Sequence, residues 1–395
     1  MSTEKTLGVY IHIPFCAGKC AYCDFLSFEG KNDRHGDYVD AVLREVDIIP
    51  QKYGLKDKES CLVRSIYFGG GTPSSIDAEL VNDILCKLKE SFILAGDAEI
   101  SIETNPGTLN EEKLKSYVYA GFNRLSIGLQ SADNAELNEL SRIHTREEFL
   151  ESYTLAREAG FSNINVDIMT ALPYQSEYTL SRTLDYVTSL EPQPEHISAY
   201  SLIVEPGTRF YDRFGEKDDD GRRKGPEGSA LPDEEGERRF YYLVRDRLKS
   251  EGYKRYEISN FAKAGYESVH NSSYWTRRDY IGIGLGASSL VDNVRYRNLT
   301  KLDRYITAPG GLCEKIMIDD RGQIEEFMFL GLRCAKGVSD DDFYKCFGFM
   351  PEEIYSGVFN KLTDEGLISH AMGSWFLTDL GIDYGNYVFS HFLLQ

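Results

Sequence analysis

Three cysteines stand within eight positions of one short stretch, "CAGKCAYCDF" (16–25), at Cys16, Cys20 and Cys23. The next place for a fourth, two residues on, is taken by Phe25. Thiolates at this spacing suit a [4Fe–4S] cluster, whose four irons would then be held at three corners and left open at the fourth. An open iron can bind a molecule that brings its own ligands. Zinc is the rival metal, but structural zinc sites close four ligands, and no second Cys-x2-Cys pair occurs in the chain. Three buried structural cysteines are the plain alternative, which a short loop containing glycine and lysine suits poorly. His12, on the preceding strand, is expected to support the loop rather than to ligate metal.

Elements of regular length must hold that loop. Short apolar runs recur at 7–15, 65–73, 99–107, 124–131, 163–173 and 196–208, most of them ending in polar or glycine-rich residues. Their β-branched and aromatic content suits buried parallel strands. Helical patterns lie between them, at 37–49, 78–92 and 111–122. Strand and helix alternating about six times predict an α/β fold, a partial (βα)6 barrel over 1–210, whose ligands gather at the carboxyl ends of the strands. Residues 211–237 follow as an acidic, glycine-rich insertion. Over 215–237 it holds nine acidic and four basic residues and almost nothing to bury, so a solvated loop is expected. Residues 238–319 extend the barrel, with a helix at 238–251 and a strand-like "YEISNFA" at 256–262. From 320 to 395 the pattern becomes helices ending in a small β-wing, a winged-helix-like module. Residues 321–395 carry five basic against eleven acidic residues, which argues against nucleic-acid binding by this module.

Cys-x3-Cys-x2-Cys after a first barrel strand resembles the radical S-adenosylmethionine (SAM) superfamily. There the amino and carboxylate groups of SAM chelate the open iron, and a reduced cluster cleaves SAM to a 5′-deoxyadenosyl radical. The resemblance gives the other strand ends roles. Gly70, Gly71 and Thr72 of "GGGTP" would meet the amino end of SAM, since glycine lets backbone approach a ligand closely. Glu103 of "IETNP" would take the ribose hydroxyls. Gln130 of "SIGLQS" and Asp167 of "NVDIM" would bond the sugar or adenine, and Arg142 of "LSRIH" would pair with the SAM carboxylate. Tyr10 of "YIHIPFC" matches a SAM-contacting tyrosine.

"GVYIHIPFC", "YFGGGTPS", "IETNPGTL", "RLSIGLQS" and "HISAYSLIVEPGT", with "EEFMFLGLR" near the end, resemble the branch of oxygen-independent coproporphyrinogen III oxidase and its relatives. The oxidase carries a fourth cysteine where this chain has Phe25, and an N-terminal extension for which the position of Cys16 leaves no room. Both differences match the sister family, the heme chaperone HemW. "HNSSYW" (270–275) is similar to the HNxxYW motif that this family associates with heme. The resemblance thereby implies heme as a third cofactor, at His270, Asn271, Tyr274 and Trp275. It also implies delivery to acceptor hemoproteins such as respiratory enzymes, transient membrane contact, and a homodimer when the cluster is loaded. Radical decarboxylation of the propionates of coproporphyrinogen III is the alternative activity; Phe25 and the short N-terminus argue against it, while the SAM residues do not decide between the two. One departure is Ala171 in "MTALP", where relatives usually read glycine. Cys61, Cys86, Cys313, Cys334 and Cys346, scattered in helix-like segments, read as buried small hydrophobes.

The setting agrees with these expectations. The chain has 395 residues, 42% hydrophobic and 27% charged, and is long enough for one large and one smaller domain. Its formal net charge of −19 opposes binding of a polyanion. No apolar run is long enough to span a bilayer, and "MSTEKTLGVY" is no signal peptide, so a cytoplasmic location is expected. In a reducing cytosol, clustered thiols point to metal or redox chemistry rather than disulfides.

Overall fold

The computed structural model describes residues 6–55, 61–218 and 222–394. Six strands, β1 (Thr6–Ile13), β2 (Leu62–Gly70), β3 (Ile93–Thr104), β4 (Arg124–Gln130), β5 (Ile164–Thr170) and β6 (His196–Ser201), pair side by side in chain order. Every neighbouring pair is parallel. Beyond β1 the sheet gains Tyr280–Ile283, also parallel, and then the antiparallel strands Ser288–Val291, Val294–Asn298 and Leu312–Met317. Beyond β6 it ends in Asn260–Ala262 and Lys254–Arg255. The two ends of the twelve-stranded sheet do not pair with each other, so the barrel is partial.

Within each strand the period of two sorts side chains between faces. Ile66 and Phe68 of β2, Ile100 and Ile102 of β3, Leu125, Ile127 and Leu129 of β4, and Ile164, Val166 and Ile168 of β5 enter the main apolar core. The helices His35–Tyr53, Ala78–Ser91, Glu111–Ala120, Arg146–Ala159 and Glu177–Thr188 contribute their buried residues to the same core. The opposite, inward face carries Tyr67, Glu103, Arg124, Gln130, Asn165, Asp167, Ser198 and Tyr200 around a cavity of about 320 Å³. Apolar outside and polar inside, this barrel interior is built to hold a hydrogen-bonding ligand.

A second apolar core lies in the last part of the chain, formed by the helices Asp320–Gly331, Asp340–Phe347 and Glu352–Asp364 under a three-stranded sheet. Its hairpin, Ile368–Ala371 and Ser374–Leu377, is the wing. A third cluster packs Ala21 with Leu140, Met169, Leu172, Phe210 and Phe214. It fastens the cysteine loop to the barrel rim, helped by bonds from Ala21 N to Leu140 O and from Phe210 N to Ala21 O.

The described residues of the acidic insertion are nearly all exposed or half-buried, as expected of a solvated loop, but several are tied down by ion pairs and hydrogen bonds. Arg213 joins Glu139 and Glu227, Lys217 joins Glu237 (2.9 Å), and Arg223 donates to Gly215 O (3.0 Å). Glu227 and Glu237 are thereby paired with Arg213 and Lys217, and residues 219–221, with two of the three consecutive aspartates, lie outside the described residues. The scattered cysteines need correcting. Cys61 and Cys334 are buried, but Cys86, Cys313 and Cys346 are exposed. Cys86, for one, lies off the Val81–Ile84–Leu85–Leu88 face by which its helix packs.

Candidate functional site

Cys16, Cys20 and Cys23 all line the barrel cavity, as do Gly70, Gly71, Thr72, Glu103, Gln130, Arg142 and Asp167. Residues from four strands, β2 to β5, and from two loops therefore converge on one space. Phe25, 61% exposed, also lines it. His12 supports the loop as expected: its Nε2 bonds Leu26 O (2.8 Å) and its Nδ1 meets Tyr10 OH (3.1 Å). Tyr10 is turned to that histidine and does not line the cavity.

Arg142 is the hub between loop and barrel. Its Nη1 donates to Cys20 Sγ (3.4 Å), and its Nη2 donates to Asn105 Oδ1 and Gly128 O (both 2.8 Å). Its Nε is buried with no partner among the described residues. His144 shares Asn105 Oδ1 (3.0 Å), and burial beside Arg142 holds its pKa down to about 3, so it stays neutral. Thr72 donates its hydroxyl to Cys16 Sγ (3.6 Å). Burial raises the Cys16 thiol pKa and carries that of Cys23 to about 11.

The donor set fits an iron–sulfur cluster. Three thiols face one space, burial opposes ionisation of Cys16 and Cys23, and a bound cationic centre is what reverses that opposition. A cradle for a second ligand lies beside them. A Cβ on Gly71 would come within 2.6 Å of Phe15 O and 2.8 Å of Ile13 O, so only glycine brings this backbone against the cysteine loop. Glu103 accepts from Tyr67 OH (2.8 Å) and Gly70 N (3.2 Å), and burial raises its pKa to about 7. Asp167 accepts from Ser126 Oγ (3.0 Å) and Asn165 Nδ2 (2.8 Å). Gln130 holds φ at 70° and Ala171 at 59°, in the left-handed region. For Ala171 this is a conformation that glycine would adopt at less cost.

The four residues of "HNSSYW" do not converge. They lie on the helix Val269–Trp275, where residues four apart share a side and neighbours differ by about 100°. His270 is 1% exposed and faces into the barrel wall. Its Nδ1 bonds Ser65 Oγ (2.9 Å), its Nε2 bonds Tyr274 OH (2.8 Å), and its ring stacks on Tyr67 at 5.1 Å. Burial and Arg124 lower its pKa to about 3. Both ring nitrogens are thus engaged within the protein. Asn271 alone of the four lines the cavity. Trp275 lines a separate groove of about 360 Å³ with Phe327, Cys334 and Val338, under the Arg333 guanidinium at 4.6 Å.

Arg124 and Glu99 were not singled out from the sequence. Arg124, 1% exposed, lines the cavity with its Nε and Nη1 lacking hydrogen-bond partners among the described residues. Glu99 lies 3.8 Å from it and accepts from Val269 N and His270 N (both 3.0 Å). The signal available was a charged residue at an inward position of an otherwise apolar strand, which only the strand register makes specific.

The model of the radical SAM superfamily matches residues 10–187, and the HemN C-terminal domain matches 318–384. The heme chaperone HemW of Bacillus subtilis (strain 168) is 36% identical over 98% of this chain and 99% of its own length. That of Lactococcus lactis subsp. lactis (strain IL1403) is 34% identical over 99% and 98%, and that of Escherichia coli (strain K12) 32% over 98% of each. Among solved structures, the coproporphyrinogen III oxidase HemN of Escherichia coli superimposes with a TM-score of 0.82. It does so at 22% identity, over 99% of this chain and 90% of that one, a likeness of fold.

Proposed function

The chain belongs to the heme chaperone HemW family of the radical SAM superfamily, and on that premise we propose that it binds heme and hands it to acceptor hemoproteins from a barrel that also holds a [4Fe–4S] cluster and SAM. The observation that carries this reading is similarity to heme chaperones along essentially the whole chain. Cys16, Cys20 and Cys23 are the proposed cluster ligands. Bound, the cluster would supply an iron with an open position for the amino and carboxylate groups of SAM.

The chain's own residues then orient SAM. Arg142 faces its carboxylate, using the Nε that has no protein partner. Gly70, Gly71 and Thr72 border its amino end. Glu103 accepts from the ribose hydroxyls, and Gln130 and Asp167 bond the sugar or adenine. Tyr10 acts one step back, by holding His12 and with it the loop. For heme, Asn271 and Trp275 are the members of the motif that border open space. His270 and Tyr274 fasten their helix to the barrel, and ligation of iron by His270 would require its bonds to Ser65 and Tyr274 to break. A cytoplasmic site of action, a transient visit to a membrane and a cluster-dependent homodimer complete the proposal.

The test is a visible-spectrum titration of anaerobically cluster-loaded protein with heme, beside a porphyrinogen-oxidation assay on the same sample. A saturable Soret shift without porphyrinogen turnover is expected. Turnover of coproporphyrinogen III with SAM and a reductant would overturn the chaperone reading. A His270→Ala variant with parental heme affinity would remove that residue from the heme site.

A further inference from the structure

Three residues of the C-terminal module, far apart in sequence, bring metal-ligating atoms together. Asp340 is the first residue of the helix Asp340–Phe347, Glu352 the first of Glu352–Asp364, and His370 lies on the wing strand Ile368–Ala371. One ligand atom from each lies within 4.8 Å of the other two. His370 Nε2 and Asp340 Oδ2 are 2.7 Å apart, and Glu352 Oε1 accepts from Trp375 Nε1 at 2.9 Å. We propose that Asp340, Glu352 and His370 bind a divalent first-row transition-metal ion of the zinc type, which clamps the wing to the two helices.

The acidic first turn of Asp340–Phe347 has a simpler cause for most of its charge. Asp340, Asp341 and Asp342 all sit where the helix dipole favours carboxylates. That does not account for Asp340 Oδ1. The residue is 8% exposed, and this oxygen is buried with no hydrogen-bond partner among the described residues. A buried carboxylate oxygen left without a donor is destabilising unless a cation meets it. One imidazole with two carboxylates is a mixed nitrogen–oxygen set, which suits zinc and its neighbours rather than calcium or magnesium. Bonds near 2.1 Å put tetrahedral ligand atoms about 3.4 Å apart, so separations that now reach at most 4.8 Å would close by up to about 1.4 Å, and the 2.7 Å His370–Asp340 pair would open by about 0.7 Å. His370 is accessible enough to turn: its side chain is 38% exposed. The ion would take the place of the proton between His370 Nε2 and Asp340 Oδ2: from an imidazolium that proton leaves as H⁺, and in a neutral imidazole it moves to Nδ1.

The triad carries its own reporter. Trp375 stacks on Phe359 at 3.9 Å and lies 4.6 Å from His370, and metal binding would draw Glu352 from its indole nitrogen. The experiment uses full-length, cluster-loaded protein with ZnCl2 as the probe, read by calorimetry and by metal content after dialysis. One zinc per chain beyond the cluster iron is expected. Asp340→Asn, Glu352→Gln and His370→Ala should each weaken it about tenfold or more, with iron content unchanged. In a Trp275→Phe background Trp375 is the remaining tryptophan, and its emission should shift on zinc addition and return with chelator. No zinc beyond the cluster iron, no emission shift, or zinc retained equally in all three variants would overturn the proposal. So would loss of the zinc in Cys346→Ser, a nearby exposed thiol, in place of the triad variants.

Discussion

At the scale of single residues, the site rests on close approach and on burial. Gly71→Ala forces a methyl group into the backbone of Phe15, so SAM affinity should fall at least about tenfold, roughly 1.4 kcal/mol. Equilibrium dialysis of cluster-loaded protein reads this, and an unchanged affinity would mean that the loop can shift. Glu103 predicts a pH dependence. Burial raises its pKa to about 7 in the folded chain, against about 4.3 when exposed. The fold therefore favours the protonated form. The stability this contributes is complete below about pH 4 and is lost as pH rises through 7. Urea midpoints of the parent should lose ground to those of Glu103→Gln between pH 5 and pH 8. Parallel pH curves for the two proteins would contradict it. The cysteines, the glycine triplet and Glu103 were legible in sequence because their chemistry depends on spacing of a few residues or on the strand end that carries them.

At the scale of elements, the helix Val269–Trp275 is the informative case. Glu99, on the neighbouring barrel strand, caps its first backbone N–H groups and faces Arg124. Glu99→Ala would leave a buried guanidinium unpaired and the Val269 and His270 N–H groups without their acceptor, destabilising the chain by about 3 kcal/mol or more in urea unfolding. It should also disturb whatever ligand Asn271 and Trp275 meet, since their helix is positioned by this carboxylate. A variant as stable as the parent would show that Glu99 does not hold the helix. The motif was visible as "HNSSYW", yet the division of its residues was not. About 100° of helix rotation separates His270 and Tyr274 from Asn271 and Trp275, and the partners of the two sides, Ser65 and Tyr67 for His270 and the C-terminal module for Trp275, are distant in the chain.

At the scale of the whole molecule, the barrel and the C-terminal module have separate apolar cores and are joined by ion pairs, by backbone bonds such as Ala335 N to Tyr256 O (2.9 Å), and along the groove that Trp275 lines. Glu326 accepts from Arg277 Nε (2.8 Å) and Arg295 Nη2 (2.9 Å), both on the barrel side, and is 9% exposed. Arg245 reaches Asp379 (3.1 Å), and Tyr242 donates to Asp383 (2.6 Å). Glu326→Ala is expected to cost about 3 kcal/mol and to split thermal unfolding into two transitions by calorimetry. A single transition of unchanged midpoint would show that the two cores are coupled elsewhere. Among the described residues no helix is long and apolar enough to cross a membrane.

The sequence by itself determined what short range controls. It carried the three-thiol loop with no fourth cysteine, the alternation that builds a parallel barrel, the glycine-rich strand end, and the change to a helical module after 320. Each follows from local spacing or from a period of two or 3.6 residues. Only the tertiary structure decided that Arg142 bonds both the Cys20 thiol and the barrel, that His270 has both nitrogens occupied, that Arg124 lies in the cavity wall with Nε and Nη1 lacking hydrogen-bond partners among the described residues, and that Asp340, Glu352 and His370 meet. Those contacts join residues far apart in the chain, and their chemistry is set by burial and register, which no local pattern encodes.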